Sequence, residues 1–259
     1  EESTGQTDTT IPSEYVSKSV LSTPWHGANV DGVQYFATTN GNSVASNVVT
    51  EAAGTAIDPA TLEGIQLERF ATNVGLQSEA FNTATWVKEE TTISTDSIVA
   101  PDGKTIADTL VETATTAHHR VVHSPSTGAG VVTVSIYAKK GTQNYVGLYA
   151  VTDAVGKHFN LNTGTVGNDI VGAPNSSSIE ALANGWYRCS ITYTASATQP
   201  LRVYITNDGS TLSYLGATDK NINIWGFQAE LGVIATSYIK TTTVSVSRNR
   251  ADFEIDSTG

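Results

Sequence analysis

Seven side chains stand out for chemistry: Tyr137, Tyr149, Trp186, Arg188, Tyr204, Gln228 and Glu230. Each lies in a run where alternate residues point to opposite faces of a strand. In Trp186–Thr194, Tyr187, Cys189, Ile191 and Tyr193 share one face, and Trp186, Arg188, Ser190 and Thr192 share the other. In Val131–Lys139, Val132, Val134, Ile136 and Ala138 oppose Thr133, Ser135, Tyr137 and Lys139. In Leu201–Asn207, Leu201, Val203 and Ile205 oppose Arg202, Tyr204 and Thr206. In Ile222–Leu231, alternation groups Trp225, Phe227, Ala229 and Leu231 against Ile224, Gly226, Gln228 and Glu230. The apolar faces form a core. Brought together on one sheet, the other faces display aromatic rings among forked hydrogen-bonding groups. Rings cover the C–H face of a pyranose, and Arg, Gln and Glu reach its hydroxyls, so this is the chemistry of glycan binding. The same face equally fits packing against a neighbouring subunit or against the N-terminal segment, with Arg188 and Glu230 as an ion pair.

Other constellations are poorer. His118 and His119 are adjacent and diverge on a strand. His119 and His123 share a face but have no Cys or carboxylate at ligand spacing, so they read as a surface or strand-edge pair, and His26 and His158 are isolated. Glu89 and Glu90 are adjacent and diverge, unlike the paired carboxylates of a glycosidase. No nucleophile elbow, HExxH or P-loop pattern occurs, which argues against an enzyme.

The elements that position these residues are strands. The chain has 259 residues, only 15% of them charged, with Thr, Ser, Asn and Gly filling the difference; that composition suits strands and turns. Runs at Val131–Lys139, Asn144–Val151, His158–Leu161, Thr165–Val166, Trp186–Thr194, Leu201–Asn207 and Asn221–Leu231 read as strands, with turns at Asn162-Thr163-Gly164 and Asp208-Gly209. Shorter strand-like runs lie at Tyr15–Leu21 and Val33–Thr38, and Ala56–Glu63 reads as one helical turn with Pro59 near its start. Close spacing without helical periods predicts an all-β sandwich or barrel.

A net charge of −11 excludes nucleic acid as a partner, because phosphate contacts need clustered Lys and Arg. No apolar run approaches the ~18 residues of a membrane helix, so membrane insertion is not expected. No signal peptide is visible, and the absence of methionine predicts a processed product or part of a longer chain. Cys189 is the one cysteine; it precludes an intrachain disulfide and reads as a small buried hydrophobe.

A series of short motifs runs in order through this region. Asn73–Phe81 (NVGLQSEAF) followed by Trp86 resembles the "NLLxSExF…W" opening of a module found in phage tail and head-fibre proteins. Ala100–Asp108 (APDGKTIAD), His119-Arg120-Val121, Phe159-Asn160-Leu161 with Gly164–Gly167 (GTVG), and Gly185–Cys189 (GWYRC) resemble its later segments. Ile224–Glu230 (IWGFQAE), Ala235–Ile239 (ATSYI) and Arg250-Ala251-Asp252 resemble its close, with Asn249 departing from the usual form. The resemblance covers about residues 67–252.

It implies an antiparallel jelly-roll β-sandwich, similar to carbohydrate-binding modules, carried on a virion surface in a fibre, spike or tail. The expected organisation is an extended N-terminal arm or docking segment (1–70), the sandwich (71–247) and a C-terminal tail (248–259). The resemblance also implies a structural calcium ion, with Glu79, Asp102 and Glu230 as candidate ligands and no other cofactor. Expected partners are other virion proteins, a bacterial surface glycan and further copies of the chain. Weak sugar contacts gain avidity by assembly, and a trimer is the expected form. The alternative is a purely architectural capsid decoration or tail connector without a ligand.

Overall fold

The alternating runs fold into two six-stranded antiparallel sheets whose apolar faces meet. The computed structural model describes residues 70–248 and, before them, the backbone of five short strands. These are β1 (Gly27–Val30), β2 (Val33–Ala37) and β3 (Ser43–Val44), which pair in that order, and the pair β4 (Val49–Thr50) and β5 (Ala56–Ile57). The chain divides into two units, of which Arg69–Asn249 is one. The expected run at Val33–Thr38 is β2, and Ala56 and Ile57, expected in a helical turn, are strand instead; within the expected arm (1–70) the described backbone before Phe70 is thus paired strand. The strand expected at Tyr15–Leu21, the remainder of the expected turn around Pro59 and residues 249–259 of the tail lie outside the described residues.

The larger unit opens with β6 (Ala71–Asn73), β7 (Val87–Glu89), β8 (Thr91–Val99), β9 (Thr105–Glu112), β10 (Thr116–His118) and β11 (Arg120–His123). It continues with β12 (Gly130–Lys140), β13 (Tyr145–Ala150), β14 (Val155–Asn160), β15 (Thr165–Asp169) and β16 (Ser176–Ala181). The last strands are β17 (Trp186–Ala195), β18 (Leu201–Thr206), β19 (Ser213–Leu215), β20 (Asn221–Leu231) and β21 (Val246–Arg248). One sheet has the order β15-β14-β13-β18-β11-β7 and is called the β18 sheet below. The other, β16-β17-β12-β20-β9-β8, is the β12 sheet. Successive strands cross repeatedly between sheets, and β10–β19 and β21–β6 form small pairs beside them.

The expected alternation builds the core. Val132, Val134, Ile136, Cys189, Ile191 and Phe227 from one sheet meet Val146, Leu148, Phe159, Val203 and Ile205 from the other. Each is buried, and burial of such side chains stabilises by about 1.5–3 kcal/mol apiece. Cys189 is fully buried, and burial pushes its thiol well above the usual range, as its apolar neighbours require.

In β20 the alternation breaks. Ile222 and Ile224 join Phe227 and Ala229 in the core, and Trp225 lies on the opposite face with Gln228 and Glu230. The cause is a bulge. The β12–β20 register shifts between Ser135 and Tyr137, and Gly226 takes φ +63°, where a side chain would be strained. The Tyr137 ring occupies the space over it: a Cβ on Gly226 would lie 2.8 Å from Tyr137 Cδ2. Strict alternation therefore misplaces Ile224 and Trp225.

Candidate functional site

The outer face of the β12 sheet is laid out in cross-strand rows. One row is Ser176–Thr192–Thr133–Glu230, the next Ser178–Ser190–Ser135–Gln228, and the third Glu180–Arg188–Tyr137–Trp225. After β20 the chain turns back and covers the β12 and β20 end of these rows. Thr133 Oγ1 donates to Gly232 O (2.8 Å), and Thr192 Oγ1 to Val233 O (3.4 Å). Thr236 N and Oγ1 donate to the two Glu230 oxygens (both 2.8 Å), Gln228 Nε2 donates to Glu230 Oε1 (2.7 Å), and Gln228 Oε1 accepts from Ile239 N (2.8 Å). Gln228 and Glu230 are fully committed to this strap. They are not an open recognition surface, and Glu230 does not pair with Arg188.

The aromatic members of the face are also covered. Tyr137, Trp225 and Tyr238 stack with centroids 4.6–5.9 Å apart. Trp186, 1% exposed, packs with them in a second apolar cluster that includes Ala100 and Ala107, and its Nε1 donates to Val99 O (3.1 Å). Tyr137 and Trp186 are thus buried packing residues, and burial raises the Tyr137 phenol above its ordinary value. Period-two reasoning placed them on the correct face but could not show that a later segment folds over it.

Arg188 remains accessible at the strap's margin. Its guanidinium sits 5.3 Å from the Tyr137 ring centre, and Nη2 donates to Ser135 Oγ (3.1 Å). Its buried Nε has no acceptor among the described residues. Glu180 is its cross-strand neighbour, but the two form no ion pair. Beside them lies a groove of about 230 Å³. Its floor carries Ser176, Ser178, Glu180, Arg188, Ser190 and Thr192, and its wall is Val233, Ile234 and Ala235 from the strap. Of these, Arg188, Ser190 and Thr192 were legible as one face. Ser176, Ser178 and Glu180 were missed because β16 (SSSIEA) has too few apolar residues to announce itself as a strand.

Tyr149 and Tyr204 lie elsewhere, on the outer face of the β18 sheet. The seven residues therefore belong to two sheets, not to one face. Tyr204 is 1% exposed, and its hydroxyl accepts from Arg120 Nη1 (2.6 Å). Tyr149 is half-buried, with the Arg202 guanidinium 5.9 Å from its ring centre.

The residues do not fit the calcium ion. Glu79 pairs with Lys240 and accepts from Tyr238 OH (3.1 Å); Asp102 accepts from Lys104 N (3.0 Å) and faces Lys104 Nζ (3.4 Å); Glu230 holds the strap. No group of three or more potential ligands occurs among the described residues. His119, His123 and His158 are likewise structural, and His26 lies outside the described residues. His119 is fully buried between Glu90 O (2.8 Å) and Tyr214 O (3.3 Å), contrary to the expected surface pair, and His158 is buried against Thr206. His123 Nε2 accepts from Leu76 N (3.0 Å) beside Trp86, and burial lowers its pKa to about 4.

No protein family and no curated protein matches the sequence. Among solved structures, the chain is similar to the enzymatically active domain of tailspike protein 4 of bacteriophage CBA120 (10% identity, TM-score 0.36, 61% of this chain and 21% of that one). It is also similar to the CBM22-1 and GH10 modules of endo-1,4-beta-D-xylanase 10B from Clostridium thermocellum, complexed with xylohexaose (11%, 0.36, 68% and 30%). A third is the CBM22-1 xylan-binding domain of Xyn10C from Paenibacillus barcinonensis (11%, 0.34, 66% and 100%). The likeness thus spans under a third of the first two chains.

Proposed function

We propose that the chain is a non-catalytic, glycan-binding β-sandwich of a bacteriophage particle, part of a fibre, spike or tail that attaches to a bacterial surface, and that it binds sugar in the groove beside Arg188. The observation that carries the site is the unpaired Arg188–Glu180 row next to a hydroxyl floor and an apolar wall. A pyranose needs this combination: a donor and an acceptor within one diol's reach, small hydroxyls beneath, and an apolar edge for its C–H groups. The groove is smaller than the roughly 300–1,000 Å³ of drug-sized sites, which limits it to a terminal sugar or a short branch and makes assembly into oligomers the source of avidity. The particle assignment rests on the ordered motifs between Asn73 and Asp252.

The test is a glycan array and whole-bacterium binding with the full chain in its native oligomeric state, compared with Arg188→Ala and with Ser178→Trp, which fills the groove. Loss of binding in both variants, with unchanged circular dichroism, supports the reading. Undiminished binding in both moves the site elsewhere, and absence of binding by the parent chain leaves the architectural alternative.

A further inference from the structure

On the β18 sheet the outer face carries two guanidinium groups and one carboxylate. Its middle row is His158–Gly147–Tyr204–Arg120–Glu89, and the next is Gly156–Tyr149–Arg202–Val122–Val87. Arg120 is neutralised: it forms an ion pair with Glu89, and its Nε donates to Glu89 Oε2 (2.6 Å). Arg202 is not. Its Nη1 donates weakly to Tyr204 OH (3.4 Å), a hydroxyl that already accepts from Arg120. Its Nε is buried without an acceptor, and no carboxylate lies within ion-pairing distance of it among the described residues. A half-buried guanidinium without a counter-charge is poorly solvated, and in a chain of net charge −11 it is a cation that the protein has had many carboxylates available to balance.

The groups flanking Arg202 have the form of a sugar platform. Tyr149 leans across Gly156, where a Cβ would come within 2.8 Å of Tyr149 Cδ2, so its ring is laid along the sheet instead of standing off it. On the other side of Arg202 the row continues through half-buried Val122 to Val87, 56% exposed. A fork of N–H donors thus sits between an aromatic shelf and an aliphatic one.

We propose that the Tyr149–Arg202 row is a second ligand site, distinct from the Arg188 groove, and that it takes a saccharide bearing a carboxylate, of the uronate or sialate class. The carboxylate pairs with Arg202, the geometry in which arginine is strongest, while the ring lies on Tyr149. A neutral sugar leaves the guanidinium unbalanced and is discriminated against.

The experiment compares acidic oligosaccharides (oligogalacturonate, oligoglucuronate and sialyllactose) with their methyl esters, by calorimetry on the full chain. The ester keeps every ring and hydroxyl and removes only the charge. At least one acid is expected to bind tenfold or more tighter than its ester, with the preference shrinking as sodium chloride is raised. Arg202→Gln abolishes the preference, Arg202→Lys restores part of it, and Arg188→Ala leaves it intact. Equal affinity for every acid and ester, no binding of any acid, or a preference that survives in Arg202→Gln overturns the proposal. Should Arg202→Gln fail to fold, the ester comparison and the Arg202→Lys variant still decide it. Loss of neutral-glycan binding in Arg188→Ala reports on the groove alone, so the two sites fail separately.

Discussion

The outer faces of the two sheets start from similar residues and end in different states. Both carry tyrosines beside arginines on strands whose inner faces are aliphatic. On the β12 sheet, residues 232–241 fold back over Tyr137, Trp225, Gln228 and Glu230, and the aromatic groups become a second core. On the β18 sheet, the row through Tyr149 and Arg202 is only half-buried. The difference shows that an aromatic-polar strand face does not by itself state its use. What decides is whether a later part of the same chain has polar groups placed to satisfy it, as Thr236 N and Ile239 N satisfy Glu230 and Gln228.

The strongest challenge to this contrast is Trp225→Ala, or equally Trp186→Ala. If that face is a core, truncation costs about 3–5 kcal/mol in urea unfolding; a loss under about 1 kcal/mol would return these rings to the surface and to recognition. The next effect belongs to the space between the sheets. Burial raises Asp108, which accepts from Phe81 N and Asp96 N, to a pKa of about 6, and lowers His123 to about 4. Asp108 titrates above its ordinary 3.8, so its contribution is fullest below that value and is lost as pH rises through 6. His123 titrates below its ordinary 6.5, so its contribution is fullest above 6.5 and is lost as pH falls toward 4. Each amounts to at most about 3 kcal/mol, and the two oppose one another. Melting temperature followed from pH 4 to 6.5 should therefore rise with pH in Asp108→Asn and fall in His123→Gln. Matching slopes would place the titration on the outer faces instead.

Smaller effects separate the faces by binding. Arg188→Ala should weaken neutral-glycan binding at least tenfold, about 1.4 kcal/mol, with little change in unfolding midpoint. Arg202→Gln should change stability least, by under about 1 kcal/mol, because no carboxylate is left unpaired. A larger loss in chemical denaturation would make Arg202 a packing residue and the β18 face a second covered one.

Much of the sandwich was legible from sequence because its central strands obey period two: Val132 through Ala138 and Leu201 through Ile205 point inward as their alternation requires. Edge strands were less so. β8 (TTISTDSIV) and β16 (SSSIEA) present few apolar groups, since an edge buries little, and their Ser- and Thr-rich text resembles loop. The candidate residues were correctly found on outer faces but wrongly joined into one set, because which strands share a sheet is a matter of topology that no local pattern encodes. Arg188 and Arg202 differ from Trp186 and Gln228 only in what lies above them, and that depends on residues up to about fifty positions distant, such as Val233 and Thr236.

The extra residue at Gly226 also works as a frame shift in a two-letter code of inward and outward. Upstream of it β20 is read in one phase and downstream in the other, so a single strand furnishes Ile224 and Phe227 to one hydrophobic compartment and Trp225 to another. Deleting Gly226 itself would remove the bulge and leave Phe227 and Gln228 on their present faces by plain alternation. Deleting a residue upstream of it, with the bulge kept, would invert everything after it, sending Phe227 outward and Gln228 into the sandwich. Drift in this segment is consequently confined to changes that preserve the phase on both sides, which makes spacing rather than residue identity the quantity under constraint.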